Sequence, residues 1–326
     1  MQKIATILVF FCGMAAQKAM AQSPRPADTG APTIIEYSIP TPFSEPYGIT
    51  AGPDGNLWFT EYGTSKIGKI TPAGVVTEYT LTPTAVPTGI TLGPDGNLWF
   101  AESQDDKIGR ITPSGVITEY PIPTPGATPY GITAGPDANI WFTEWGALNI
   151  GKITTSGAIT EYPCNLPNYS CDFAKSITSG PDGNLWFAPN LSEQLGVVTT
   201  DGAFSVAGFL SSPVSVTTGP DGNIWATGGS EVYKITPGIY NNAGQYGSAS
   251  VGYGFTGIAR GPDNNLWFLA QYPSGAVVRI TTSGVATQIP IPCPNSLPTG
   301  IAAGPDGNVW FTENYANKIG LGPVKK

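Results

Sequence analysis

Four glutamates stand at matching places in this chain and are the residues best placed to do chemistry: Glu61, Glu102, Glu144 and Glu313. Each closes an apolar run such as Leu-Trp-Phe-Thr-Glu. Carboxylates gathered on one concave surface can hold a hard cation such as Mg2+ or Ca2+. A desolvated carboxylate can also serve as a general base. Histidine, the usual acid and base near neutral pH, does not occur in the 326 residues. Five residues after Glu61, Glu102 and Glu313 come Lys66, Lys107 and Lys318, so a cross-strand ion pair is expected at each. Glu144 departs from this pattern. Asn149 fills its lysine slot, and Trp145, the one tryptophan outside the repeat, follows it. An acid without its counter-charge is the stronger candidate for a ligand or a base.

The elements that must position these acids come from a repeat. Gly-Pro-Asp-Gly-Asn-Leu-Trp-Phe occurs at 52–59, 93–100 and 180–187, and variants start at Gly135, Gly219, Gly261 and Gly304. Seven units at steps of 39–45 residues, each with turn residues and a tryptophan, predict an all-β fold. It is a seven-bladed β-propeller with four-stranded blades. In the first unit, strands are expected over 47–51, 56–61, 66–71 and 75–79, with Gly52 to Gly55 as a type I turn. The strands are apolar on both sides, as blades packed face to face require, and the repeated tryptophans should fill the gaps between blades. The segment 33–37 reads as a fourth strand with no blade before it, and 318–321 as a third strand with nothing after it. The N-terminal strand should therefore complete the last blade and close the ring, making residues 33–326 one domain. The stretch Tyr240 to Phe255 departs from the repeat and is expected to form an irregular fourth strand with a long loop.

In a blade the start of strand one and the end of strand two share a rim. Tyr47 and Glu61 are equidistant from Asp54 in the turn and should lie side by side, as should Thr88 with Glu102, Tyr130 with Glu144, and Thr299 with Glu313. Blades 4, 5 and 6 hold Pro189, Gly228 and Ala270 instead. The acids thus belong to blades 7, 1, 2 and 3, consecutive around a closed ring, and half of one rim should be acidic.

Residues 1–21 read as a secretory signal peptide: Lys3, an apolar stretch from Ile4 to Ala16, and the small-x-small site Ala19-Met20-Ala21. Cleavage after Ala21 would give a secreted or periplasmic protein, and residues 22–32 form a Pro-rich flexible lead-in. The apolar stretch is too short for a membrane span. The formal net charge of -8 argues against nucleic acid, which selects basic patches. Of the four cysteines, Cys12 lies in the leader; Cys164 and Cys171 flank a short loop that a local bridge could pin, and Cys293 is left over. A monomer is expected.

The motif Tyr47-Gly48-Ile49-Thr50-Ala51-Gly52-Pro53-Asp54, with Trp58-Phe59-Thr60-Glu61, Lys66-Ile67-Gly68-Lys69-Ile70-Thr71 and Thr77-Glu78-Tyr79, resembles the virginiamycin B lyase (streptogramin lyase) family. The resemblance covers about residues 33 to 322. It implies a carbon–oxygen lyase that opens the lactone of a cyclic depsipeptide by elimination, with Mg2+ and a histidine–glutamate pair; a hydrolase is the second enzymatic reading. Trp141-Phe142-Thr143-Glu144-Trp145-Gly146 looks most like the family's catalytic blade, and Glu45-Pro46-Tyr47 looks like its Glu-Pro-His. The histidine slots hold Tyr47, Thr88, Tyr130, Lys175, Val214, Thr256 and Thr299. On this resemblance Glu144 or Glu61 would be the base and Tyr130 or Tyr47 the acid. Trp145 and Asn149 would contact substrate, and Glu45, Glu61, Glu102, Glu144 and Glu313 would offer Mg2+ its ligands. The alternative is a non-catalytic propeller that presents an acidic rim to a peptide, sugar or protein partner.

Overall fold

A computed structural model describes residues 33–164, 173–239, 243–247 and 252–322. The expected leader and lead-in lie outside these residues, as do parts of the Cys164–Cys171 loop and of the stretch from Tyr240 to Phe255. Seven four-stranded antiparallel sheets form the blades of a propeller. In blade 1 the strands are Pro46–Ala51, Leu57–Glu61, Lys66–Ile70 and Val76–Thr80. Blade 7 joins Pro298–Ala303, Val309–Glu313 and Lys318–Gly322 to Ile35–Ser38, the first strand of the chain. Ile35 pairs with Leu321 and Tyr37 with Ile319. The ring is therefore closed by the N-terminal strand, which removes the open sheet edges.

The turn residues account for the hairpins. In blade 2 the Gly96 N–H donates to the Gly93 carbonyl at 3.1 Å, and Gly96 has φ +74°. The fourth turn position needs a left-handed backbone, which glycine adopts without cost. The turn aspartate does a second job. Its carboxylate accepts the indole N–H of the repeat tryptophan in every blade, as in Trp58 to Asp54 at 3.1 Å and Trp310 to Asp306 at 3.0 Å. A buried indole needs such a partner. The tryptophans pack between blades as expected: Trp58 joins Ile90, Leu98 and Phe100 of blade 2, and Trp310 joins Leu57 and Phe59 of blade 1.

First strands of successive blades lie beside one another around the whole ring. In blades 1, 2, 3, 6 and 7 a glycine within the first strand permits this. A Cβ on Gly48 would stand 2.7 Å from the Thr88 carbonyl oxygen, closer than real Cβ contacts allow. The threonine before Glu61, Glu144 and Glu313 stitches the ring. Gly48 N–H donates to Thr60 Oγ1, which donates to the Thr88 carbonyl at 2.6 Å. Thr143 bridges Gly131 and Ala174, and Thr312 bridges Gly300 and Tyr47, in the same way. Each such bond contributes about 1 kcal/mol. Beyond Gly228, blade 5 runs through Glu231–Ile235 and Ala243–Gly247, and blade 6 starts at Tyr253. The irregular region thus supplies a regular fourth strand.

Candidate functional site

The expected pairing of Tyr47 with Glu61 is corrected by a β-bulge. Glu61 faces Pro46 across the hairpin, and the register slips before Ile49. The same slip sets Pro87 opposite Glu102, Pro129 opposite Glu144 and Pro298 opposite Glu313. The extra residue separates the residue in the histidine slot from the glutamate. Tyrosine and glutamate thus leave the strand pair in different surroundings.

The tyrosines meet one another. Tyr130 donates its hydroxyl hydrogen to the Tyr47 hydroxyl at 2.7 Å, with ring centroids 5.5 Å apart and nearly perpendicular. They belong to blades 3 and 1, and the blade between them holds the fully buried Thr88 in the same slot. Its small side chain leaves room for the contact. Tyr62 approaches Tyr47 at 6.2 Å and Trp145 approaches Tyr130 at 6.2 Å. Phe173 lies 4.9 Å from Trp145, edge to face. Five aromatic rings thus run in one chain from blade 1 to the entry of blade 4. Lys175, in the slot of blade 4, sets its Nζ 5.8 Å from the Tyr130 ring, a cation–π contact. Trp145 is partly exposed, yet its indole N–H is buried without a hydrogen-bond partner. Burial pushes both phenols above their ordinary pKa. They remain neutral hydrogen-bonding groups at any working pH.

The glutamates lie elsewhere. Glu61, Glu102 and Glu313 are fully buried and Glu144 is 1% exposed, so the acidic rim expected from the sequence is not a surface. The expected ion pairs to the neighbouring lysines are corrected too. Each lysine bonds the glutamate of strand four: Lys66 to Glu78 at 3.4 Å, Lys107 to Glu119 at 2.7 Å and Lys318 to Glu36 at 2.7 Å. Glu78 also accepts the backbone N–H and hydroxyl of Thr41, and Glu36 accepts the Cys293 N–H. The lysine and outer glutamate therefore pin the loop that arrives from the preceding blade. Asn149 donates to Glu144 at 2.9 Å, so its amide serves this acid.

Burial is the first cause that lifts all four acids from the ordinary 4.5. Glu61 rises to about 7, its neighbour Glu78 adding to the rise and Thr64 and Lys66 opposing it. Glu102 rises to about 8, helped by Glu119. Glu313 rises to about 8, helped by Glu36. Glu144 rises to about 8; Asn149 opposes the shift, while Glu161 and Asp106 add to it. Mg2+ asks for ionised oxygens converging in near-octahedral array. These acids sit in four separate blades, and among the described residues no three acidic, cysteine or histidine side chains gather closely enough to hold a metal ion. Glu45 lies beside Gly63. The five acids named from the sequence do not fit a Mg2+ site.

Sequence reasoning missed the aromatic chain as a unit. The signal lay in the slot residues: two tyrosines flanking a threonine, then a lysine. Cys164 is disulfide-bonded, and the loop it enters lies outside the described residues. Among the described residues no helix is long and apolar enough to cross a membrane.

Comparison with known proteins defines the class. The virginiamycin B lyase family model matches residues 32–238 and 203–323, and this chain belongs to that family. A solved structure of streptogramin B lyase is 32% identical with a TM-score of 0.82, over 90% of this chain and 98% of that one. A catalytically inactive histidine-to-alanine variant of virginiamycin B lyase from Staphylococcus aureus, solved with quinupristin, is 32% identical with a TM-score of 0.83, over 90% of this chain and all of that one. The virginiamycin B lyase of Saccharopolyspora erythraea is 48% identical over 48 residues, which span 15% of this chain and 16% of that protein.

Proposed function

We propose that this family member is an exported ligand-binding propeller that takes a cyclic peptide or peptide ester against its aromatic chain. The carrying observation is the run Tyr62, Tyr47, Tyr130, Trp145 and Phe173 with Lys175 beside it. Aromatic faces offer apolar contact at low entropic cost, with a few polar groups fixing orientation. Lys175 is a donor that a ligand carbonyl would satisfy. The solved relative with quinupristin supports this choice of ligand class.

Binding is favoured over elimination because elimination needs a base and an acid matched to the working pH. The tyrosines are held neutral, and Glu144 at neutral pH is mostly protonated and bonded to Asn149. A lyase reading is favoured by the 32% identity to streptogramin B lyase over 90% of the chain. It would need Glu144 or Glu61 as base and Tyr130 or Tyr47 as acid. The relative whose histidine was replaced is inactive, and here tyrosine, threonine, lysine and valine occupy every slot.

Titration of tryptophan fluorescence with a panel of cyclic depsipeptides, and product mass by chromatography, tests both readings. Saturable binding without product, weakened about tenfold or more in Trp145→Ala or Lys175→Met, supports the binding reading. A ring-opened product of unchanged mass would replace it with the lyase, and one heavier by a water with a hydrolase. No binding by any member would remove the aromatic site.

A further inference from the structure

Three residues before the strand-one position that faces the end of strand two, the chain entering blades 1, 3, 6 and 7 passes through a left-handed backbone. The residues there are Phe43, Gly126, Gly252 and Asn295, with φ of 58°, 73°, 99° and 60°. Glycine takes this conformation freely and asparagine with little difficulty, whereas the Cβ of a phenylalanine crowds the next carbonyl. Packing does not offset the strain, because Phe43 is 74% exposed. The left-handed residues Glu45, Val86, Thr128 and Leu297, which directly precede first strands, are all partly buried. The backbone around Phe43 is pinned on both sides. Ser44, fully buried, donates its N–H and its hydroxyl to Asn317 Oδ1 at 2.7 Å each. Asn317 Nδ2 donates to the carbonyls of Ile39 and Thr41, and the Ser44 carbonyl accepts the Gly63 N–H at 3.0 Å. The Phe43 carbonyl abuts Gly63, where a Cβ would stand closer to it than real Cβ contacts allow. Gly63 follows Tyr62, the first ring of the aromatic chain. Two residues before Asn317, Tyr315 is exposed as well.

We propose that Phe43 is a ligand contact that extends the aromatic chain beyond Tyr62 to the seam of blades 7 and 1, where it meets an apolar side chain of the cyclic peptide or peptide ester. This rests on the binding reading above. A bulky left-handed residue persists only where its surroundings over-determine it, and such residues cluster at ligand clamps. Here the bonds of Ser44 and Asn317 supply the over-determination and leave the ring itself in solvent. A ring held from a fixed backbone loses little freedom when a ligand meets it. Gly126 and Asn295, at the same place in blades 3 and 7, offer a ligand no apolar surface. Phe43 therefore sets a preference. Cyclic peptides with an aliphatic or aromatic side chain towards blade 1 should bind better than those with glycine or serine there.

Phe43→Asn installs the residue that blade 7 uses, and two measurements on the whole protein test it. The melting midpoint should rise by ~2 °C, because left-handed strain is relieved and little packing is lost. Affinity for a cyclic depsipeptide, read by tryptophan fluorescence, should fall about threefold or more. Phe43→Tyr keeps both ring and strain and should match the unaltered protein in both measurements. A merely structural residue would not couple a gain in stability to a loss of affinity. Unchanged affinity in Phe43→Asn would overturn the contact. A lower midpoint would overturn it too, since the ring would then be a packing element. The two readings fail separately. A ligand weakened by Trp145→Ala but not by Phe43→Asn removes Phe43 alone, whereas no binding by any depsipeptide removes the aromatic site and Phe43 with it.

Discussion

In blades 7, 1, 2 and 3 the second strand ends in glutamate, and the repeat tryptophan stacks on a tyrosine of the outer strand at 5.5–5.8 Å. In blades 4 and 6 the tyrosine position holds Ala207 and Ile289, and the glutamate position holds Pro189 and Ala270. The space is filled there by carbon: Ala188, Leu195 and Ala207 in one blade, Leu269, Val277 and Ile289 in the other. Glutamate, lysine, outer glutamate and tyrosine stand together in blades 7, 1 and 2; blade 3 has Asn149 for the lysine, blade 5 keeps only Tyr246, and blades 4 and 6 lack all four. Where all four are missing the same space packs with carbon, so the set is a packing solution interchangeable with an apolar one. Buried ionic clusters and well-packed apolar residues of similar volume are known to be nearly equivalent in stability. This is why the strand-two glutamates, which dominate the sequence, are poor candidates for chemistry, whereas the slot residues, which vary from blade to blade, are good ones.

The framework shared by both halves should give the largest effect. Trp58→Ala in blade 1 and Trp267→Ala in blade 6 should each cost about 4 kcal/mol in urea unfolding. Both indoles are buried and bonded to their turn aspartate. A large loss in one half alone would break the comparison. Next comes Lys107→Met, which leaves Glu119 without its partner at 2.7 Å. It should cost about 1–2 kcal/mol, since both groups are partly exposed. If the cost is nil, the cluster is not a unit.

The pH dependence sharpens the same point. Glu102 is raised from 4.5 unfolded to about 8 folded. The folded state then binds more protons between these values, so its contribution to stability is complete below pH 4.5 and is lost as pH rises towards 8. Glu61, Glu144 and Glu313 act in the same direction. Glu102→Gln should flatten this decline, measured as urea stability at successive pH values, and should cost little at neutral pH. A decline of unchanged slope would mean that Glu102 is ionised in the fold.

The propeller was legible in the sequence because its cause is local: each Gly-Pro-Asp-Gly turn and each tryptophan reports its own hairpin. Ring closure was legible because an orphan fourth strand and an orphan third strand stand at the two ends. The site was less so. Counting residues from Asp54 placed Glu61 beside Tyr47, and one bulge residue undid that count. The lysines were assigned to the wrong acid because strand four, with Glu78 and Glu119, lies equally near strand three. The Tyr47–Tyr130 contact joins residues of blades 1 and 3, and no spacing along the chain announces it.

That contact gives the smallest and most selective test. Tyr130 donates to Tyr47, and desolvation raises both phenols above their ordinary pKa. Tyr130→Phe removes the donor and should cost about 1 kcal/mol in urea unfolding, the worth of one neutral hydrogen bond. It keeps the ring, so the edge-to-face contact with Tyr47 and the approach to Trp145 survive. Ligand affinity should fall only a few-fold if the rings do the binding, and activity of any kind should vanish if the phenol is an acid. The same change at Tyr162, whose ring stacks on Trp141 in the outer part of blade 3, should leave affinity untouched. Equal effects at the two tyrosines would place the ligand away from the aromatic chain and return the slot residues to the framework.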